Sequence, residues 1–132
     1  MESKAYHSAH LAYLCRYHVV FCPKYRRKIL TSPLDEFVKK TFLEIADAHQ
    51  FKILEMEVMP DHVHLLIECN PRFGIMSCIA RLKAESTSKM RTFEPSLSTR
   101  LPTIWTRGAF IATVGSVSLE TVKKYIESQK NV

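Results

Sequence analysis

The stretch Val58-Met59-Pro60-Asp61-His62-Val63-His64-Leu65-Leu66-Ile67-Glu68 constrains this chain more than any other. Pro60-Asp61 is turn chemistry, and the residues after it read as a strand. Side chains on a strand alternate between faces, so His62 and His64 point the same way, about 7 Å apart along the strand. Val63, Leu65 and Ile67 point the other way and can bury. The fold must therefore hold a sheet with a core behind this strand and two imidazoles in front of it. Such a face can hold a divalent metal.

The remaining elements follow from periodicity. Leu11 to Phe21 is apolar on both faces and reads as a central strand ended by Pro23, with a basic loop, Lys24-Tyr25-Arg26-Arg27-Lys28, after it. Ser32-Pro33 predicts an N-cap and first helical position, and Leu34, Phe37, Val38, Phe42 and Ile45 recur at helical spacing to about His49. Lys52 to Val58 and His62 to Cys69 read as two strands joined by Met59-Pro60-Asp61. Ile75 to about Arg91 is a second helix, and Pro95 to Pro102 a polar loop, the best candidate for a mobile segment. Phe110 to Val114 is a fourth strand. Gly115 turns the chain, and Ser118 caps a last helix to about Lys130, whose ends carry Glu120 and Lys130 in keeping with the helix dipole. The order strand, helix, strand, strand, helix, strand predicts an α+β, ferredoxin-like (RRM-like) fold: a four-stranded antiparallel sheet with two helices on one face. The C-terminal helix is extra, and it packs over the open sheet face or on a partner.

Bulk properties agree with one globular domain spanning 1–132. A length of 132 residues supports one real core and is too short for two ordinary domains. Hydrophobic residues make up 46%, with only 3 glycines, which excludes a disordered chain. The net charge of +6 and a pI near 9.3 favour a polyanionic partner, nucleic acid first. Cys15, Cys22, Cys69 and Cys78 lack the spacing of a zinc knuckle or redox motif, and the first residues hold no apolar leader. The expectation is reduced, mostly buried thiols in a cytoplasmic protein without a membrane partner.

Tyr125 and Gln129 are four residues apart on the last helix and share a face, with Leu119, Val122 and Ile126 on its apolar side. A phenol can act as a covalent nucleophile, and a carboxamide oxygen can serve as a hard metal ligand. With His62 and His64 this makes two nitrogens, one oxygen and open positions for a phosphate. That set suits phosphodiester cleavage in which the tyrosine displaces the 3′-hydroxyl and leaves a phosphotyrosine bond to the 5′ side. One phosphodiester replaces another, so no nucleotide cofactor is needed. Mg²⁺ or Mn²⁺ could fill such a mixed site. On their own, Tyr6, Tyr13, Tyr17 and Tyr25 compete as nucleophile, and Gln129 reads as a solvated helix end.

Four segments carry a resemblance that covers nearly the whole chain: Tyr17-His18-Val19-Val20-Phe21-Cys22-Pro23-Lys24-Tyr25-Arg26-Arg27, Pro60-Asp61-His62-Val63-His64-Leu65-Leu66, Trp105-Thr106-Arg107-Gly108-Ala109-Phe110 leading into Thr113-Val114-Gly115, and Lys124-Tyr125-Ile126-Glu127-Ser128-Gln129. In this order they resemble the HUH endonuclease superfamily, specifically the single-tyrosine transposases of small bacterial and archaeal insertion sequences that move as single-stranded DNA. The resemblance implies that His62, His64 and Gln129 are the metal ligands and Tyr125 the nucleophile. Gln129 one turn after Tyr125 argues for the single-tyrosine type. It further implies a homodimer with active sites shared between subunits and recognition of hairpins at element ends. The chain departs from the family pattern at Leu82-Lys83-Ala84-Glu85-Ser86-Thr87, which lacks a glycine after the lysine, and at Ala109, where an aromatic is common. No tail is expected beyond Gln129.

Nucleic-acid contacts are expected from Lys24, Tyr25, Arg26, Arg27, Lys83, Lys89 and Arg91, with Tyr25 able to stack on a base. His7, His10, His18 and His49 read as surface or strand-packing residues, and Trp105 as core or interface. Two rival readings remain open: a catalytically inactive module that binds single-stranded nucleic acid, and a water-using metal phosphodiesterase. A covalent protein–DNA adduct would exclude both. A weaker third is a small ligand-binding or regulatory domain.

Overall fold

A computed structural model describes residues 6–8, 11–13, 15–114 and 119–132. In chain order the elements are β1 (Tyr6–Ser8), β2 (Leu11–Tyr13), β3 (Arg16–Phe21), a 3-10 turn (Lys24–Arg26), α1 (Leu34–Ala48), β4 (Lys52–Met59), β5 (His62–Glu68), α2 (Ile75–Phe93), α3 (Leu97–Arg100), β6 (Phe110–Thr113) and α4 (Leu119–Ser128). The main sheet has the order β4-β5-β3-β6, and every neighbouring pair is antiparallel. β5 lies between β3 and β4, which are joined through α1, and β5 reaches β6 through α2. This is the split βαβ arrangement expected from the element order.

The core fills the space between one sheet face and α1 and α2. Val19, Phe21, Val63, Leu65 and Ile67 from the sheet meet Val38, Phe42, Ile45, Ile79, Leu82 and Met90 from the helices, all buried. Phe21 meets Trp105 edge-on with ring centroids 5.0 Å apart, and the Trp105 indole N–H donates to Ser86 Oγ at 3.0 Å. Trp105 is thus core, with its one polar atom satisfied.

Residues between these on β3 and β5 face the other way. Val20 is 0% exposed although it lies outside that core, because α4 crosses β3 on the opposite face. The extra helix therefore lies on its own sheet. Among the described residues no helix is long and apolar enough to cross a membrane. The four cysteines are free, three of them buried.

Local expectations differ from the structure in four places. Leu11 to Phe21 is not one strand: β2 pairs with β1 in a separate two-stranded sheet. The physical reason is the length of the partner. β5 ends at Glu68, whose carboxylate takes Arg16 at 2.6 Å, and Cys69 N–H to Cys15 O is the last ladder bond. Ser32 does not cap α1, which begins at Leu34 after Pro33 and has no side-chain cap; Asp35 and Glu36 provide the negative charge of its first turn. The 95–102 stretch contains α3, because Leu97 is fully buried and Arg91 donates to the carbonyls of Leu97, Leu101 and Pro102. α4 stops at Ser128, so Lys130 lies beyond its last turn. The expected turn at Gly115 and cap at Ser118 lie outside the described residues.

Candidate active site

His62 and His64 occupy alternate positions of β5, opposite Met59 and Glu57 of β4. Val63 between them is buried in the core, so both imidazoles stand on the face that α4 partly covers. His62 Nδ1–H donates to Asp61 Oδ1 at 2.9 Å, which leaves Nε2 as the ring nitrogen without a hydrogen bond among the described residues. A carboxylate behind an imidazole is the usual support of a metal-binding histidine. His64 Nε2 and His18 Nδ1 share a hydrogen bond at 3.3 Å, with ring centroids 5.5 Å apart. Burial holds the His64 pKa below its ordinary value, and the neighbouring His18 acts in the same direction. His64 is therefore neutral, the form that ligates. Beside it a cavity of about 240 Å³ is lined by His18, Glu55, Met56, Glu57, His64 and Leu66.

On α4, Tyr125 lies against Phe110 of β6, ring centroids 5.4 Å apart. Gly108 is close to the phenol: a Cβ there would stand 3.7 Å from the Tyr125 oxygen. The hydroxyl is buried and has no hydrogen-bond partner among the described residues. Desolvation pushes its pKa up to about 12, and the Cys22 thiol adds to that shift. Gln129, one turn later, is buried to 9% exposure, and its amide N–H donates to Ser128 Oγ at 3.2 Å. Tyr125 rides on the helix that partly covers the histidine face, and Gln129, expected on the same helix, lies in the turn just after its last residue, Ser128, where its N–H bonds the Ile126 carbonyl at 3.2 Å.

These donors fit a borderline-to-hard divalent cation. Among the described residues no three His, Cys, Asp or Glu side chains are disposed to hold a metal, so a site on His62 and His64 takes its third protein ligand from another residue type. The Gln129 carboxamide, in the turn that follows α4, is the candidate.

The cationic residues divide into distinct environments. Lys24 lies 5.1 Å from the Tyr25 ring centroid, Tyr25 is 45% exposed, and Arg27 is exposed. Arg26 bonds within the protein, to Asp61 and to the carbonyl of Ile126. Lys83 reaches from α2 to donate to the carbonyls of Thr106 at 2.9 Å and Gly108 at 2.7 Å, 5.2 Å from the Phe21 ring. Burial lowers its pKa to about 8. Arg91 ties α2 to the segment after it, and Lys89 borders a groove with Phe37 and Phe93 on the helical side. Sequence reasoning placed His18 among packing residues and missed that it bonds His64. The signal was the register Val20 opposite His64, which no local pattern contains.

Comparison with known proteins places this geometry in a family. Residues 11–129 match the family described as "Transposase IS200 like". The ISDra2 transposase TnpA of Deinococcus radiodurans is 34% identical over 119 residues, which are 89% of this chain and 85% of that protein. The transposase for insertion sequence element IS200 of Salmonella typhimurium is 30% identical over 123 residues, 92% of this chain and 80% of that protein. A crystal structure of a Deinococcus radiodurans R1 protein assigned as a transposase superposes with a TM-score of 0.88 at 26% identity, over 96% of this chain and 99% of that one. A REP-associated tyrosine transposase bound to a REP hairpin shares the fold, with a TM-score of 0.55 at 14% identity over 92% of this chain and 69% of that one. With the family matched from β2 to the last residue of the proposed site, the chain belongs to the IS200-like transposases, enzymes of DNA transposition.

Proposed function

We propose that this transposase cuts and rejoins single-stranded DNA at insertion-sequence ends through a 5′-phosphotyrosine intermediate on Tyr125, in a metal-dependent reaction. The observation that carries the reading is the position of α4: the helix bearing Tyr125, with Gln129 in the turn that follows it, lies across the sheet face that presents His62 and His64. His62, His64 and Gln129 would hold Mg²⁺ or Mn²⁺. An ion held by these residues would polarise the scissile phosphate and offset charge in the transition state.

The residues of the chain do the rest. The Tyr125 phenolate oxygen forms a bond to phosphorus as the bond to the 3′ oxygen breaks, and the departing oxygen takes up a proton to leave as a 3′-hydroxyl. Rejoining reverses these steps with a second 3′-hydroxyl, so no nucleotide cofactor enters. The Tyr125 seat favours neutral phenol, with its pKa at about 12, so attack requires the phenol to leave that seat or meet a cation in it. Lys24, Tyr25 and Arg27, on the edge of the same end of the molecule, are proposed to contact the strand. Hairpin recognition is proposed on the likeness to the protein bound to a REP hairpin. A homodimer completes the reading; with α4 on its own sheet each chain holds His62, His64, Tyr125 and Gln129 itself, so active sites shared between subunits would require the two subunits to exchange α4.

The test is incubation with labelled single-stranded hairpin oligonucleotides from the flanks of the gene, with Mn²⁺ or Mg²⁺, followed by a denaturing gel. A protease-sensitive shifted band, absent from Tyr125→Phe and after chelation, is the expected result. Cleavage that survives Tyr125→Phe without an adduct would replace this reading with a water-using phosphodiesterase.

A further inference from the structure

The basic segment after β3 reads from sequence as a solvated loop that offers its cations to nucleic acid. In the structure the Arg26 side chain is instead bonded twice within the protein. Its Nη1 donates to the Ile126 carbonyl of α4 at 3.2 Å, across a separation of 100 residues. Its Nε lies 3.3 Å from Asp61 Oδ2. The other oxygen of that carboxylate accepts from His62 Nδ1 at 2.9 Å. One guanidinium thus touches both the helix that carries Tyr125 and the carboxylate behind a metal-motif histidine. All three side chains are largely buried, at 20%, 19% and 16% exposure for Arg26, Asp61 and His62.

Two further observations point the same way. The last turn of α4 has no basic residue of its own, so its carbonyl dipoles lack a cation from within the helix. Ile126 lies in that turn; its carbonyl accepts the Gln129 N–H at 3.2 Å, and Arg26 adds a second donor and a positive charge at this end of the helix. The backbone is also strained to place it. Tyr25 and Arg26 hold φ of 59° and 51°, a left-handed conformation that non-glycine residues avoid unless the surroundings enforce it. Tyr25 N–H donates to the Val132 carbonyl at 2.8 Å, so the same turn grips the chain after α4 as well.

We propose that Arg26 is a positioning residue, a clasp that seats the C-terminal turn of α4 on the Asp61–His62 corner and ties the placement of Tyr125 and Gln129 to the orientation of the His62 ring. The planar fork of a guanidinium is what allows one side chain to bridge a carbonyl and a carboxylate at fixed angles. The inference rests on the reading of His62 as a metal ligand only in its second half; the seating of α4 stands without it.

The experiment uses the full chain as Arg26→Gln, Asp61→Asn and the double variant. Hydrogen exchange by mass spectrometry reads α4, and titration calorimetry reads Mn²⁺ binding. In Arg26→Gln, peptides covering 120–128 exchange about tenfold faster while those of α1 and β3 to β5 keep their rates, in keeping with loss of a charge-assisted bond. Mn²⁺ affinity falls about tenfold, as for other lost supports behind a ligating histidine. Because Arg26 acts through Asp61, the double variant binds Mn²⁺ no more weakly than Asp61→Asn alone. Unchanged exchange of α4, or equal acceleration of every peptide, overturns the clasp. Additive losses of Mn²⁺ affinity overturn the link to His62. If the native protein gives no Mn²⁺ binding, the metal reading fails, and exchange still decides the clasp.

Discussion

Tyr125 holds its hydroxyl in a buried position without a partner, an arrangement that costs free energy and therefore has a measurable signature. Tyr125→Phe removes the unpaired group, so the variant should unfold at a higher denaturant midpoint, by about 1 kcal/mol, while forming no DNA adduct. A destabilised Tyr125→Phe would mean the hydroxyl is bonded in solution. The pH dependence has a definite sign. The docked phenol titrates near 12 against an ordinary 10, so the seat favours the protonated form. Its contribution to stability is complete below about pH 10 and is lost as pH rises through 12. Absorbance titration of phenolate, taken as the difference between the native chain and Tyr125→Phe, should show a midpoint well above 10. At this scale the histidine motif was readable because strand alternation is a local rule. The His18–His64 bond was not, because it depends on a diagonal neighbour across two strands.

Lys83 belongs to the scale of elements. It lies on α2, yet its ammonium holds the carbonyls of Thr106 and Gly108, the turn that faces the Tyr125 phenol before β6 begins. Lys83→Met removes the donor from both carbonyls and should lower the unfolding free energy by about 1–3 kcal/mol. Burial lowers the Lys83 pKa to about 8 from an ordinary 10.5. Between those values the unfolded chain binds more protons than the folded one, so stability gains with rising pH across that window. The gain should vanish in Lys83→Met when unfolding curves are compared at pH 8 and above; a persistent gain would assign it to another group. The helices α1 and α2 and the strands β4 and β5 follow the sequence periodicity within a residue or two. α3 escaped it, since a single turn is anchored by Leu97 and by Arg91 rather than by any pattern of its own.

For the whole molecule, the net charge of +6 overstates what a nucleic acid meets, because Arg16, Arg26, Lys83 and Arg91 are bonded inside the protein. Exposed Arg27 is the cleaner probe. Arg27→Gln should weaken single-stranded DNA binding, reduce the slope of log affinity against log salt by about 0.7, and leave thermal unfolding unchanged. Anisotropy titrations across a salt series decide this, and an unaltered slope removes Arg27 from the interface. The sequence by itself determined the order of the four main-sheet strands and the three long helices, the split βαβ topology that this order implies, and the common face of His62 and His64. Each of these is set by neighbours two to four residues apart, where pleat and helical pitch leave few choices. Only the tertiary structure decided that α4 covers its own sheet, that β2 leaves the main sheet, and that Arg26 clasps Ile126 100 residues away. Those outcomes depend on strand register and on which apolar faces meet, and contacts so distant along the chain leave no periodic mark in it.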